Sequence, residues 1–325
     1  MRPRLPPVSV VIPTFQRRHR LPRLLAPLLG DAATHELIVI DDGSTDGSAE
    51  LLAHVASDDP RVRALRTRNR GQAAAQDLGA SMATGDVVLL LDDDVVPGAS
   101  LVTGHAQRHA GESNLVVVGY MPVSCASDPS GDWIVRRYAQ RYARKITEWE
   151  RAPERILAGL WGGNVSLRRT HLAKVPLAAP GYDISYHVDL DFGLRCQRAG
   201  LRGVFDRSLR ATHEYSRPVE GFLRDRAASA TDRVILHRIH ADVLGPLPES
   251  YFRSDSPRAA RIALRALRGR GSGTAQRLLE SVVARAGRHG LSPVEAKACD
   301  LLERLAGQQI ARRSQAQGFA PGPSR

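Results

Sequence analysis

Five consecutive apolar residues, Val87-Val88-Leu89-Leu90-Leu91, run directly into three consecutive carboxylates, Asp92, Asp93 and Asp94. The run has no alternation, the pattern of a strand buried on both faces, and such strands belong to parallel sheets covered by helices. That narrows the chain to an α/β architecture with an acidic edge. Three adjacent carboxylates repel one another, and nothing beside them in the sequence neutralises them. A divalent cation would do so, and hard oxygen ligands suit Mg2+ or Mn2+. Open α/β sheets bind ligands beyond the carboxyl ends of their strands, which puts the cation in a ligand crevice. On these residues taken by themselves, a solvated acidic turn closing a strand is the competing reading.

The flanking sequence has the same grammar. Residues 8–12, 37–40 and 62–65 read as strands, and leucine-spaced or small-residue patterns at 20–29 and 72–83 read as helices. Strand and helix alternate about every 25 to 30 residues, which calls for a mostly parallel, Rossmann-like sheet with right-handed crossovers. Further on, the pattern predicts a strand at 115–118 and a polar helix rich in Arg and Tyr at 132–150. A glycine-containing loop then runs into another strand near 164. A helix from His187 to about 199 stops at Gly200; a short strand at 203–205 and a long helix at 218–240 follow. Neither Gly-x-x-x-x-Gly-Lys-Ser/Thr nor Gly-x-Gly-x-x-Gly follows the first strand, so phosphates have to be held at the acidic strand end instead.

With 325 residues and 42% hydrophobic content, the chain can build one large domain, or one of roughly 250 residues plus an appendage. The expected division is a catalytic domain at 1–245, a helical extension at 246–315 and a disordered tail at 316–325. Forty-six Lys plus Arg against 34 Asp plus Glu leave a formal charge of +12, nearly all of it arginine, so the partner is expected to be anionic. Cys125, Cys196 and Cys299 are odd in number and widely spaced, which indicates neither a disulfide framework nor a zinc site and fits a reducing cytoplasm. The apolar run at 8–12 is too short for a signal peptide, and no run approaches the roughly 18 residues of a membrane span. The expectation is a cytoplasmic protein whose membrane contact, if it has one, is peripheral at the inner face of the plasma membrane.

The order of motifs resembles the family 2 glycosyltransferases, inverting enzymes with a GT-A fold. The residues that carry the resemblance are Val8-Ser9-Val10-Val11-Ile12-Pro13-Thr14-Phe15, Ile40-Asp41-Asp42-Gly43-Ser44-Thr45-Asp46, Asn69-Arg70-Gly71 and Leu91-Asp92-Asp93-Asp94. Gly162-Gly163-Asn164 and Asp189-Leu190-Asp191-Phe192-Gly193-Leu194-Arg195 complete them. The resemblance implies that Pro13, Thr14 and Phe15 line a base pocket and that Asp42 accepts a hydrogen bond from the nucleobase. It implies that Asp92-Asp93-Asp94 is the family's Asp-x-Asp motif, Asp94 the direct metal ligand and Asp92 nearer the ribose. His213 falls beside the metal and the diphosphate, and Asp189 where the family places its catalytic base. Trp161, Gly162, Gly163 and Asn164 fall on the acceptor side. The implied donor is a UDP-, GDP- or dTDP-sugar, and the implied acceptor a hydroxyl of a glycan, a lipid-linked molecule or a small molecule in cell-surface glycan or secondary-metabolite assembly.

Some positions depart from that pattern. Val188 stands where a second acidic residue is usual, which leaves His187 as an assistant or substitute base, and Gln76-Asp77 stand where Arg-Asn is common. The Gln-x-x-Arg-Trp motif and membrane helices of processive synthases are absent, which implies a single transfer. In the carboxy-terminal third, helices are expected at 257–268, 275–285 and 293–313. The first sets Ile262, Leu264 and Leu267 against Arg258, Arg261, Arg265 and Arg268, a basic amphipathic face that can lie on an anionic membrane or pack on the domain with its arginines in water. Two other functions share parts of this pattern. A sugar-phosphate nucleotidyltransferase would need a glycine-rich basic loop after the first strand, and Pro13-Thr14-Phe15-Gln16 contains no glycine. A basic module for membrane or nucleic acid would leave the three aspartates unexplained, since they repel a polyanion; no nucleic-acid partner is expected.

Overall fold

The computed structural model describes residues 5–124, 133–179 and 181–246, together with separate positions between 277 and 301. In chain order the strands are β1 (Val8–Thr14), β2 (Thr34–Asp41), β3 (Val62–Arg66), β4 (Val87–Leu91), β5 (Val95–Pro97), β6 (Leu115–Tyr120), β7 (Asn164–Arg168) and β8 (Arg202–His213). The helices are α1 (Leu21–Leu29), α2 (Ser48–Asp58), α3 (Gln72–Met82), α4 (Leu101–Arg108), α5 (Trp133–Arg151), α6 (Arg169–Leu172), α7 (Val188–Arg198), α8 (Val219–Ile239) and α9 (Ala241–Leu244).

The strands form one sheet in the order β3-β2-β1-β4-β7-β6-β8-β5. β1 lies parallel to β2 and β4, and β2 parallel to β3, so the first half is the repeating strand–helix unit that the sequence predicts. β1 and β4 are buried at every position, as their unbroken apolar runs require. β7 then inserts antiparallel between β4 and β6, which brings the strand after the Gly162-Gly163 loop alongside the acid-tipped strand. β8 runs parallel to β6 and pairs β5 in the opposite sense at the edge.

Helices cover the sheet through narrow apolar stripes. α1 buries Leu21, Leu24, Leu25 and Leu28. α3 buries Ala75, Gln76 and Gly79, and a side chain at Gly79 would stand 2.5 Å from Val11 Cγ1, so the small residues of this helix are what let it lie close on β1. Asp77 of α3 accepts the backbone N–H groups of Leu177 and Ala178 at 2.7 and 2.8 Å, fixing the loop that follows α6.

Several elements differ from the sequence expectation. β8 is 12 residues long where a short strand at 203–205 is expected, because Arg202, Arg207 and Arg210 interrupt its apolar pattern. Three further elements are not expected from the sequence: α2 buries only Ser48 and Leu52, β5 has only three residues, and in α4 buried His105 does part of the work of an apolar residue. The contacts form two units, one comprising 1–126, 138–183 and 188–215 and the other 127–137, 184–187 and 216–325. The expected boundary at 245 falls inside the second unit, which also draws on two short segments from earlier in the chain. Among the described positions near the carboxyl terminus, 277, 281, 282, 285, 286, 294, 297, 298 and 301 are helical. The remaining positions of the three expected helices, the tail, Cys125 and Cys299 lie outside the described residues. No helix among the described residues is long and apolar enough to cross a membrane.

Candidate active site

β4 delivers its three carboxylates to the sheet edge, and each meets a different environment. Asp92 accepts a hydrogen bond from Gln72 Nε2 at 2.7 Å, and its backbone N–H donates to the Gly163 carbonyl at 3.0 Å. Burial pushes its carboxyl well above the ordinary carboxylate range, with the negative charges of Asp94, Asp189 and Asp93 adding to the effect. Asp93 is raised too, by burial and by Asp94. The Thr14 hydroxyl at 2.8 Å, Arg17 and the Phe15 N–H at 3.3 Å oppose that shift. Asp94 goes the other way: burial raises it, but His213 together with Arg17 and Arg20 outweighs burial and holds it ionised. His213 Nε2 stands 3.2 Å from Asp94 Oδ1 without the alignment of a hydrogen bond, which leaves that buried oxygen with bonding capacity unspent.

The loop before β7 joins this cluster to Asp189. Asp189 lies in the first turn of α7, and its Oδ2 accepts the Gly162 N–H at 2.9 Å. A side chain on Gly162 would stand 2.5 Å from Asp189 Oδ1, and one on Gly163, whose φ is +98°, would stand 2.5 Å from Asp92 Oδ2. Gly163, with its positive φ, therefore requires glycine, and a side chain at Gly162 would have to displace the Asp189 carboxylate. Burial raises the Asp189 carboxyl, with the Gly162 bond acting against the shift. Asp92, Asp94, Asp189 and His213 thus form one electrostatic cluster.

An aromatic wall completes it. Trp161 Nε1 donates to the Tyr138 hydroxyl at 3.0 Å. The Tyr138 ring stacks on Tyr215 at 3.9 Å and meets Trp161 and His213 edge-on, each at 5.2 Å. Burial pushes the Tyr138 phenol well up, and the charges of Asp94 and Asp92 reinforce it. Sequence reasoning missed Tyr138, Gln72, Arg17 and Arg20; the usable signal was the i, i+4 pair Tyr138 and Tyr142 on one face of α5.

Asn164 differs from its loop neighbours. It is 0% exposed, and its amide bonds His105 and the Leu209 carbonyl, so it belongs to the core behind the loop instead of to an acceptor surface. His187 lies in the second unit, where its Nε2 bonds Ser229 Oγ at 2.9 Å and its backbone N–H donates to Asp232.

On the other flank, Pro13 and Thr14 end β1 within the sheet, and Phe15 turns outward, 44% exposed. Gln16 N–H bonds Ser44 Oγ and Arg18 N–H bonds Asp46, so the segment after β1 is tied to the turn after β2. Asp42 is buried, and its carboxylate accepts the Thr67 hydroxyl and the backbone N–H groups of Arg70 and Gly71, bracing the loop that carries Asn69-Arg70-Gly71. A cleft of about 570 Å3 lined by Arg18, Ser44, Asp46, Glu50, His54 and Arg66 contains none of the predicted site residues.

Among the described residues no group of three or more His, Cys, Asp or Glu side chains is gathered as a metal centre. A cation shared with a diphosphate needs fewer: Mg2+ is commonly held by one or two carboxylates and completes its shell with phosphate oxygens and water. The unspent, buried Asp94 Oδ1 and the crowded Asp92 fit that role.

The model of the family described as glycosyl transferase family 2 matches residues 9–175, just over half of the chain. An undecaprenyl-phosphate 4-deoxy-4-formamido-L-arabinose transferase of Pectobacterium carotovorum is 44% identical over 94 residues, 27% of this chain and 29% of that protein. The match thus spans less than a third of that relative's length. Among solved structures, a mannosyltransferase from Pyrobaculum calidifontis in complex with GDP-mannose and Mn2+ superposes with a TM-score of 0.61 at 20% identity, over 95% of this chain and 88% of that one. Glucosyl-3-phosphoglycerate synthase from Mycobacterium tuberculosis, with Mg2+ and uridine diphosphate, gives 0.52 at 19% identity over 72% and 79%. At these identities the likeness is one of fold, the mixed α/β sheet of the GT-A transferases.

Proposed function

This chain belongs to glycosyl transferase family 2, and we propose that it is an inverting, metal-dependent member that moves one sugar from a nucleotide diphosphate to an acceptor hydroxyl. The observation that carries the reading is the glycine pair wedged between Asp92 and Asp189, which ties the donor-side carboxylates and a separate buried carboxylate to one turn. Inversion needs a base on the sugar face opposite the leaving group, and Asp189 has that role: burial makes its ionised form a stronger acceptor for the hydroxyl proton. Asp94 and Asp92 would hold a divalent cation, Mg2+ or Mn2+, whose charge stabilises the departing diphosphate by several kcal/mol. His213 keeps Asp94 ionised, and Gln72 orients Asp92.

Phe15, exposed at the end of β1, offers a flat apolar face to the base of a UDP-, GDP- or dTDP-sugar, with Pro13 and Thr14 behind it. Asp42 shapes that pocket through the 67–71 loop it braces. Trp161 with Gly162 and Gly163 forms the acceptor side. The undecaprenyl-phosphate transferase among the relatives favours a lipid-linked acceptor, reached at the membrane surface by a protein that resides in the cytoplasm and builds cell-surface glycan.

The test is a thermal-shift and calorimetry screen of nucleoside diphosphates with and without Mn2+, followed by transfer assays. One diphosphate should bind only with metal. Asp94→Asn should lose that binding, whereas Asp189→Asn should keep it and lower transfer by about 100- to 10,000-fold. Equal loss of binding in both variants would break the division of roles, and no binding of any diphosphate would remove the transferase reading.

A further inference from the structure

Behind the glycine pair lies a polar island that the proposed chemistry does not use. His105, His109, Asn164 and Ser166 are each 0% exposed. His105 Nδ1 is 2.7 Å from Ser166 Oγ and its Nε2 is 2.9 Å from Asn164 Oδ1. His109 Nε2 is 2.9 Å from the same serine oxygen, and Asn164 Nδ2 is 3.0 Å from the Leu209 carbonyl.

The direction of every bond follows from the last one. A backbone carbonyl accepts and never donates, so the amide atom facing Leu209 is nitrogen and the atom facing His105 is oxygen. His105 Nε2 therefore carries the proton, and its Nδ1 is bare. Ser166 must donate to that bare nitrogen, and since a hydroxyl has one proton, His109 must donate to Ser166 through Nε2–H. His109 Nδ1 is left bare and, among the described residues, unbonded. Both rings are neutral in this scheme, in keeping with burial, which pulls each down to about 4.

Such an island is dear in stability: an apolar replacement of equal shape is often as stable or more so, whereas a half-satisfied network is worse than either. Its site of action is next door. Asn164 follows Gly163 directly, and the Gly163 carbonyl accepts the Asp92 N–H. Gly119, on neighbouring β6, makes room for the amide, since a side chain there would stand 2.1 Å from Asn164 Nδ2. The strand that begins at Asn164 is thus pinned in its depth and register just where the glycine pair leaves it.

We propose that His105 and His109 are positioning residues of the transfer site, acting through a one-way hydrogen-bond chain, His109 to Ser166 to His105 to Asn164 to the Leu209 carbonyl. The chain fixes the Gly162-Gly163 turn and with it the spacing of Asp92 and Asp189. The kinetic part rests on the transferase reading, whereas the direction of the chain does not.

Nitrogen-15 long-range correlation spectra of histidine-labelled, full-length protein test the direction. Both rings should be in the neutral Nε2–H form across the neutral range and should titrate only as the pH nears 4. A protonated Nδ1 on His105 at neutral pH would overturn the chain, whether or not the protein transfers sugar. Kinetics test the positioning role: His105→Leu should lower kcat by about 10- to 100-fold with the nucleotide-sugar KM unchanged, and His105→Gln, which can donate to Asn164 and accept from Ser166, should recover most of it. If His105→Leu does not fold, Ser166→Ala, which cuts the chain at one link, should lower kcat in the same sense. Unchanged kcat in the folded variants would reduce the island to a packing feature. Absence of transfer by the wild-type protein with every nucleotide sugar would sink the functional reading and leave the spectroscopic result standing.

Discussion

Asp92 takes a hydrogen bond from Gln72 while burial and the charges of Asp94, Asp189 and Asp93 oppose its ionisation. Because its pKa is raised in the folded protein, the folded state holds the proton more tightly than the unfolded chain does. Its contribution to stability is therefore complete below the unfolded carboxylate pKa and is lost as the pH rises through the folded one. Asp92→Asn, isosteric and able to keep the Gln72 bond, should match the wild type in acid. At neutral pH without divalent cation it should be more stable by about 1 kcal/mol, roughly 2–4 °C in Tm. Adding Mn2+ with the nucleoside diphosphate should raise the wild-type Tm and leave that of the variant unmoved. An unaltered or lowered Tm for the metal-free variant at neutral pH would contradict the charge crowding inferred here. The composition of this triad was legible in the sequence, but the three different environments of its members were not: Thr14, His213 and Gly163, which set them apart, are far away along the chain.

At the scale of elements, Glu36 of β2 is the tie that sets the first half of the sheet. Its Oε1 accepts the Ser9 hydroxyl of β1 and both the N–H and hydroxyl of Thr84, each at 2.7 Å, and its Oε2 pairs with Arg63 of β3 at 3.0 Å. The turn at Thr84 is thereby held where β4 must start, so this one carboxylate helps aim the acid-tipped strand. Burial raises its pKa, but these bonds outweigh burial and take it from 4.5 down to about 2. The sense is opposite to that of Asp92: the stabilisation is present above pH 4.5 and is lost as the pH falls toward 2. Glu36→Gln should cost about 2 kcal/mol at neutral pH, less than the shift itself would suggest, because Arg63 is 41% exposed and its share is screened. The cost should shrink as urea-unfolding titrations are taken into acid. A cost independent of pH would mean that packing, not charge, holds the turn. Unbroken apolar runs located β1, β2 and β4 in the sequence, whereas β8, with arginines at its exposed positions, and three-residue β5 had no such run to show.

For the whole molecule, the formal charge is +12, carried almost wholly by arginine, a sign of charge that attracts anionic surfaces. The proposed lipid-linked acceptor predicts a use for it: binding to phosphatidylglycerol vesicles that weakens steeply with added salt, and none to phosphatidylcholine vesicles. Equal binding to both lipids would point to apolar insertion instead. The sequence by itself determined the α/β class, the buried strand tipped with carboxylates and the order of the family motifs, because these depend on periodicity and on residue types within a few positions of one another. Tertiary structure decided the rest: that Asp189 is joined to Asp92 through two glycines, that Asn164 turns into the core, that Tyr138 faces the acid cluster, and that two histidines bond in a single direction. Each of those follows from β7 entering antiparallel between β4 and β6 or from packing across the sheet. A chain's local pattern records which residues are buried, but a hydrogen-bond partner is set by whichever distant strand arrives beside it.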